Sequence, residues 1–353
     1  MNTLLTARFC EDSLSRLESR TGPVQTAGFG VTGKKLSEAE LAARVEGLEC
    51  LIVEFEPVTA AVLQLAKDLK IAVCCRNEPG ASLDLEAATR LGIPVLHPPG
   101  RNAVSVAEYT IGLMLAVSRH IAEVHHLLRY TEDLTAVSYG DKSGDRSGVT
   151  SEWSLDPGAP FHRYQGPELY GKTLSLVGCG AIGREMATRA AAFGMDLLVA
   201  DPYLNDSTLT EIGAKRTDLP EAARRADFLA VTAKVTNETW GMVSAEILGL
   251  MKPTAYFVNT ARAAIVDYDA LFEALEKRRI AGAALDVYPN EPIPPDFPFR
   301  RLSNVVLSPH LAGASRDIPG HHSRMIVDDL FRIFDGNRPI GLANPSVWEA
   351  RRR

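Results

Sequence analysis

The chain has 353 residues, too many for one ordinary hydrophobic core and enough for two domains of ~100 to 200 residues each. Hydrophobic residues make up 46% and charged residues 23%, close to the globular average, which excludes a chain disordered as a whole. Lysine plus arginine number 38 against 44 for aspartate plus glutamate, a net charge of -6 with no basic run beyond Arg351, Arg352 and Arg353, so nucleic acid is not expected as a main partner.

The opening MNTLLTARFCEDSL carries one arginine before its acidic residues and no uninterrupted apolar core, unlike a signal peptide. No stretch approaches the ~20 apolar residues of a membrane span. Five cysteines, Cys10, Cys50, Cys74, Cys75 and Cys179, form no CxxC pair and sit mostly in apolar runs, as expected of reduced core residues in a cytoplasmic protein.

Up to about residue 100, apolar runs (CLIVEF at 50–55, IAVCC at 71–75, PVLH at 94–97) alternate with helical stretches such as TAAVLQLAKDL and LDLEAATRLG. Such alternation predicts a parallel sheet covered on both faces. One long helix is expected over 105–129, with Glu108 in its first turn, where the positive end of the dipole favours a carboxylate. Residues 131–168 then lose periodicity and are rich in Gly, Ser, Asp and Pro. A loop of this length is a functional lid or a disordered segment, and the sequence does not choose between them. From 173 a second series of strands begins (TLSLVG, DLLVAD, DFLAVTA, AYFVNTA, AGAALDV, VVLSP), which predicts a second doubly wound sheet. The tail over 321–353 reads as a helical stretch, SRMIVDDLFRIFDG, followed by an irregular end.

The strand Thr173–Val177 runs into Gly178-Cys179-Gly180-Ala181-Ile182-Gly183 and a following helix. In such a loop Gly178 permits the tight turn, Gly180 lets a pyrophosphate approach the backbone, and Gly183 lets helix and strand pack closely. The helix N-terminus offers unpaired amides to the phosphates. The next strand ends at Asp201, where a carboxylate can accept hydrogen bonds from the adenosine ribose and would repel the extra phosphate of NADP, so NAD is the expected cofactor.

Arg262, Glu291 and His310 follow the later strands, and ligands of an open parallel sheet bind beyond its carboxyl ends. Their chemistries suit hydride transfer between a 2-hydroxy acid and its keto acid. Arg262 offers a planar fork for the substrate carboxylate. His310 titrates near neutrality and can give or take the proton, while Glu291 beside it would favour the protonated imidazole. Singly, each has an ordinary explanation as a surface arginine, a turn carboxylate or a core histidine. Their joint placement carries the reading.

From GKTLSLVGCGAIG through MKPTAYFVNTARAAIVDYDAL, AGAALDVYPNEP and SPHLAGAS, the chain resembles the D-isomer-specific 2-hydroxyacid dehydrogenases over roughly residues 91–313. The resemblance implies Arg262 as substrate-binding and catalytic, Glu291 as partner of the acid/base, and His310 as proton donor. It further implies cofactor contacts at Ala181, Ile182, Asp201, Ala233, Thr260, Ala261, Arg262, Asp286 and from His310 to Gly313. The implied fold is α/β with two doubly wound parallel-sheet domains. A Rossmann NAD domain over 103–317 is inserted in a flavodoxin-like substrate domain formed by 1–102 and 318–353. No metal is expected, and a homodimer is, with the helix at 105–129 and the long loop as contacts.

Asn102 matches a family position near the cleft and equally suits a helix cap. The family's glycine-rich substrate loop corresponds here to Arg76-Asn77-Glu78-Pro79-Gly80-Ala81-Ser82, one residue shorter, with Asn77, Glu78 and Gly80 as substrate-binding candidates. A negative Glu78 would disfavour a phosphate or second carboxylate, unless Arg76 or another cation neutralises it, and would suit a polyhydroxylated acid; alternatively its side chain points to solvent and only its backbone matters. Lys234 stands where the family commonly has proline. The chain stops soon after Asn344-Pro345, so feedback through a C-terminal regulatory domain is not expected. Phosphoglycerate oxidation is the alternative within the family. Formate oxidation is disfavoured by Glu291, where formate enzymes carry Gln. An NAD-sensing binding protein, like the corepressors that share this fold, is the alternative from another class.

Overall fold

The computed structural model describes residues 1–131, 133–134 and 159–351. The chain divides into two compact units, one formed by Met1–Asn102 with Ser315–Arg353, the other by Ala103–Ala314.

The first unit holds β1 (Thr3–Leu5), β2 (Val24–Thr26), β3 (Cys50–Val53), β4 (Ile71–Cys74) and β5 (Val95–Leu96). All pair in parallel in the order β2-β1-β3-β4-β5, the flavodoxin-like winding. Side chains of a strand alternate between faces. Leu4, Leu51, Val53, Ala72 and Cys74 therefore enter one core, and Leu5, Cys50, Ile52, Ile71 and Val73 the other. The second of these cores is completed by Ile326, Val327 and Leu330 of the helix Ile318–Phe334, which is why the tail returns to this unit.

The second unit holds β6 (Thr173–Val177), β7 (Asp196–Ala200), β8 (Lys215–Arg216), β9 (Phe228–Val231), β10 (Tyr256–Asn259), β11 (Gly282–Leu285) and β12 (Val305–Leu307). Their order is β12-β11-β10-β9-β6-β7-β8, all parallel, the Rossmann winding with an added edge strand. FLAV, YFVN and GAAL are buried throughout, as strands must be when helices cover both faces. Two doubly wound parallel sheets are thus present, as the sequence predicts.

The details differ in five places. Strands β1, β2 and β8 carry no recognisable apolar run; β2 and β8 are edge strands, the first burying only part of Val24 and the second fully exposed, and β1 is only three residues long. The expected single helix over 105–129 is two helices, Ala103–Ser118 and Ile121–Tyr130. His120 between them adopts φ 56°, ψ 23°, a left-handed backbone that ends the right-handed ladder. Because the first helix starts two residues earlier than expected, Glu108 lies beyond its first turn and instead pairs with Arg189 of the helix Ala181–Ala192 at 2.9 Å. The tail after 334 is not irregular to its end, since Pro345–Arg351 is helical. Most of the expected loop over 131–168 lies outside the described residues; within its described part, Pro160–Arg163 forms a short helix.

Candidate active site at the carboxyl edge of the second sheet

The glycine loop leaves β6 at Gly178, whose φ of 84° and contacts forbid a side chain: a Cβ there would lie 2.6 Å from the Cα of Ala233. Thr232 Oγ1 donates to the Gly178 carbonyl at 2.5 Å, so the ends of β6 and β9 are tied together. A Cβ on Gly180, by contrast, would meet nothing within 4 Å, and Gly180 N-caps the helix Ala181–Ala192 with no side-chain hydrogen bond to its first amides. Open space above the loop and uncapped amides beneath it fit a pyrophosphate. Gly183 sits close against the loop, where a Cβ would lie 3.1 Å from the Gly178 carbonyl oxygen, and Ile182 flanks the core of that face.

Asp201 follows β7 and accepts from the Cys179 amide at 2.8 Å and the Tyr203 amide at 2.9 Å, which holds its carboxylate beside the glycine loop. Burial pushes the Cys179 thiol up to about 11, against the pull of Arg184, which keeps it protonated at neutral pH.

Asn259, at the end of β10, is fully buried, and its side chain shapes the turn that presents Arg262. Its Oδ1 accepts from the Ala261 amide at 3.0 Å and its Nδ2 donates to the Arg262 carbonyl at 3.1 Å. Arg262 is exposed; Nη1 donates to the Ala261 carbonyl at 2.7 Å, and no ion pair engages the guanidinium among the described residues. Thr260 is buried and bonds Thr110 through their hydroxyls at 2.8 Å.

Beyond β11 and β12, Glu291 and His310 are brought together: His310 Nδ1 donates to Glu291 Oε2 at 2.6 Å. Nδ1 thereby carries the proton toward the carboxylate, and Nε2 is left for the reacting oxygen. The side chains are 44% and 36% exposed, so the pair is open to a ligand. Burial pushes the Glu291 carboxyl up, but hydrogen bonds from His310 and the Tyr288 amide, with the charges of His310 and Arg262, outweigh it and hold the group below the ordinary carboxylate range.

Asp286 is fully buried and uses both oxygens on the loop that carries His310. Oδ1 accepts from Ser308 Oγ at 2.6 Å and the Leu311 amide at 2.8 Å, and Oδ2 accepts from the Ala312 amide at 2.9 Å. Gly313 lies in the turn that follows. Asn259 and Thr232 were readable as polar residues ending apolar strands; nothing in the sequence pairs Asp286 with residues 22 to 26 positions downstream.

In the first unit, Asn77 Nδ2 donates to Asn102 Oδ1 at 2.8 Å, and Asn77 Oδ1 accepts from the Gly100 amide at 3.1 Å. Asn102 thus spends its side-chain oxygen on Asn77. Glu78 and Gly80 are exposed, and Glu78 N-caps the 3-10 turn Pro79–Ala81 without a side-chain hydrogen bond. Lys234 is exposed in the loop after β9, where its carbonyl accepts from Thr239 Oγ1 at 2.6 Å. Among the described residues, no group of three His, Cys, Asp or Glu is placed to hold a metal, and no helix is long and apolar enough to cross a membrane.

Residues 111–312 match the model of the D-isomer specific 2-hydroxyacid dehydrogenase, NAD binding domain. A glyoxylate reductase of Thermofilum pendens is 34% identical over 309 residues, 87% of this chain and 83% of the relative. A D-3-phosphoglycerate dehydrogenase of Methanocaldococcus jannaschii is 33% identical over 344 residues, which cover 97% of this chain but 59% of the relative. A crystal structure of a Thermus thermophilus protein is 32% identical with a TM-score of 0.69, covering 97% of this chain and all (100%) of that one.

Proposed function

The chain belongs to the D-isomer specific 2-hydroxyacid dehydrogenase family, and from that premise we propose that it interconverts a small D-2-hydroxy acid and its 2-keto acid with His310 as acid/base. The observation that carries the reading is the 2.6 Å bond from His310 Nδ1 to Glu291 Oε2, with the Arg262 guanidinium, which has no ion partner among the described residues, presented from a neighbouring strand of the same sheet edge.

The glycine loop from Gly178 to Gly183 and Asp201 hold NAD, with Ala233, Thr260, Ala261 and Gly313 along the same sheet edge. When bound, that cofactor gives or takes a hydride at the substrate C2. Arg262 binds the substrate carboxylate through its planar fork and orients the carbonyl. His310 Nε2 donates a proton to the carbonyl oxygen in reduction and takes it back from the hydroxyl in oxidation. Glu291, ionised across the neutral range, stabilises the imidazolium and fixes which nitrogen faces the substrate. Asp286 holds the loop that carries the histidine.

For substrate we favour a keto acid without a phosphate. The Thermofilum relative is named a glyoxylate reductase, and the exposed carboxylate of Glu78 lies in the candidate substrate loop with Asn77, Gly80 and Asn102. Similarity to the Methanocaldococcus relative supports phosphoglycerate oxidation as the second reading. The helix Ile121–Tyr130 buries none of its residues and exposes Ile121 by 52% and Leu128 by 60%, a face we assign to a second copy of the chain. Four buried, unpaired cysteines suit a reducing compartment, and we place the protein in the cytoplasm.

The test is consumption of NADH, and of NADPH in parallel, against glyoxylate, pyruvate, hydroxypyruvate and phosphohydroxypyruvate. Turnover with NADH on an unphosphorylated acid is expected. Preference for phosphohydroxypyruvate would establish the second reading, and tight NADH binding with no turnover on any acid would replace the enzyme with a sensor.

A further inference from the structure

Tyr288 is 5% exposed and reaches Glu291 directly and the loop that carries His310 through Ser308, using different atoms. Its backbone amide donates to Glu291 Oε1 at 3.0 Å. Its hydroxyl lies 2.7 Å from the Leu285 carbonyl and 2.8 Å from the Ser308 carbonyl, either of which can take its proton, and it accepts from the Ser308 amide at 3.1 Å. Leu285 ends β11, and Ser308 directly follows β12, its parallel neighbour. The hydroxyl therefore bridges the ends of the two strands whose next turns carry the acid/base pair.

The Ser308 carbonyl is also the acceptor for the His310 amide, at 3.0 Å. That contact matters because His310 has φ 55°, a left-handed conformation that is uncommon for any residue but glycine and persists only where surrounding contacts over-determine it. Asp286 holds this loop from one side through Ser308 Oγ and the Leu311 and Ala312 amides. Tyr288 holds it from the other, through the one carbonyl that anchors His310 itself.

We propose that Tyr288 is a positioning residue, whose hydroxyl fixes the left-handed backbone of His310 through Ser308 while its amide fixes the Glu291 carboxylate. The proposal rests on the acid/base reading of His310 given above. The Tyr288 ring packs edge-on against Phe297 at 5.4 Å, so Tyr288→Phe keeps the packing and removes the hydroxyl alone. The Leu285 and Ser308 carbonyls still receive the Ser308 and His310 amides, so neither is orphaned in the variant.

In Tyr288→Phe, kcat for keto-acid reduction is expected to fall about tenfold, the equivalent of one buried hydrogen bond. KM and NADH affinity by calorimetry should stay unchanged, and the alkaline limb of the pH profile should move to lower pH as the pair loosens. In a Glu291→Gln background the same substitution should move that limb no further. A lowered Tm with wild-type kcat and pH limb, or fully additive effects with Glu291→Gln, overturns the proposal. His310→Ala run alongside separates the two levels: if it retains turnover the acid/base reading fails, and if it abolishes turnover while Tyr288→Phe behaves as wild type only the positioning role fails.

Discussion

The two units carry charged groups at the same place in their sheets, the carboxyl edge, and use them in opposite ways. In the first unit, Glu54 directly follows β3 and is fully buried; its Oε1 accepts from Arg8 at 3.2 Å and Arg101 at 3.0 Å. Arg101 Nη1 also donates to His322 Nδ1 at 2.9 Å, and His322 Nε2 donates to the Arg8 carbonyl at 2.6 Å. Each charge or polar group in that set is answered by another. In the second unit Arg262 is exposed without an ion partner among the described residues, and the Glu291–His310 pair is open to solvent. A charge satisfied by its neighbours stabilises a fold, whereas one held in place and left partly unanswered is available to a ligand.

If that contrast is right, changes at the second edge should cost activity and spare stability, and changes at the first should do the reverse. His310→Ala should lower kcat by about 10²- to 10⁴-fold with little change in Tm, measured by NADH turnover and thermal unfolding. Glu54→Ala should destabilise the first unit by about 3 kcal/mol, because it strands the largely buried Arg101 without its carboxylate; chemical denaturation measures this. Arg262→Lys keeps the charge but loses the two-pronged geometry, and should raise the KM for the keto acid and lower kcat, together about 100-fold in kcat/KM, with NADH affinity preserved.

The smallest effect is a pH dependence. Burial, with the charges of Arg101 and Arg8, lowers the His322 pKa from its ordinary 6.5 against the opposing hydrogen bond to Arg8 and the charge of Glu54. Below that pH the unfolded chain takes up a proton that the folded chain refuses, so stability should fall as pH drops from 7 through ~6. Glu54 acts in a lower window. Its carboxyl is raised by burial but lowered further by Arg8 and Arg101, so its contribution is lost only as pH falls through that depressed value. His322→Gln should flatten the slope of Tm between pH 7 and 5.5; an unchanged slope would remove His322 from the account.

The same contrast explains what the sequence made legible. Strands such as FLAV, YFVN and GAAL are buried on both faces and announce themselves as apolar runs, and Arg262, Glu291 and His310 stand at the ends of such runs. Edge strands such as Val24–Thr26 and Lys215–Arg216 bury at most one apolar side chain, so no apolar run marks them. The break at His120 depends on one left-handed residue inside a pattern that otherwise reads as continuous helix. Nothing in LDVYP marks the Tyr288 hydroxyl, whose acceptor Ser308 lies 20 residues downstream. Glu54 and His322 are still further apart in the chain, and no local pattern announces their shared partner Arg101.

The most direct test of the central claim is the configuration of the product. Reduction of hydroxypyruvate by NADH, followed by chiral chromatography of the glycerate formed, should give the D enantiomer alone. L-Glycerate or a racemate would contradict the assignment of this site to D-2-hydroxy acid chemistry.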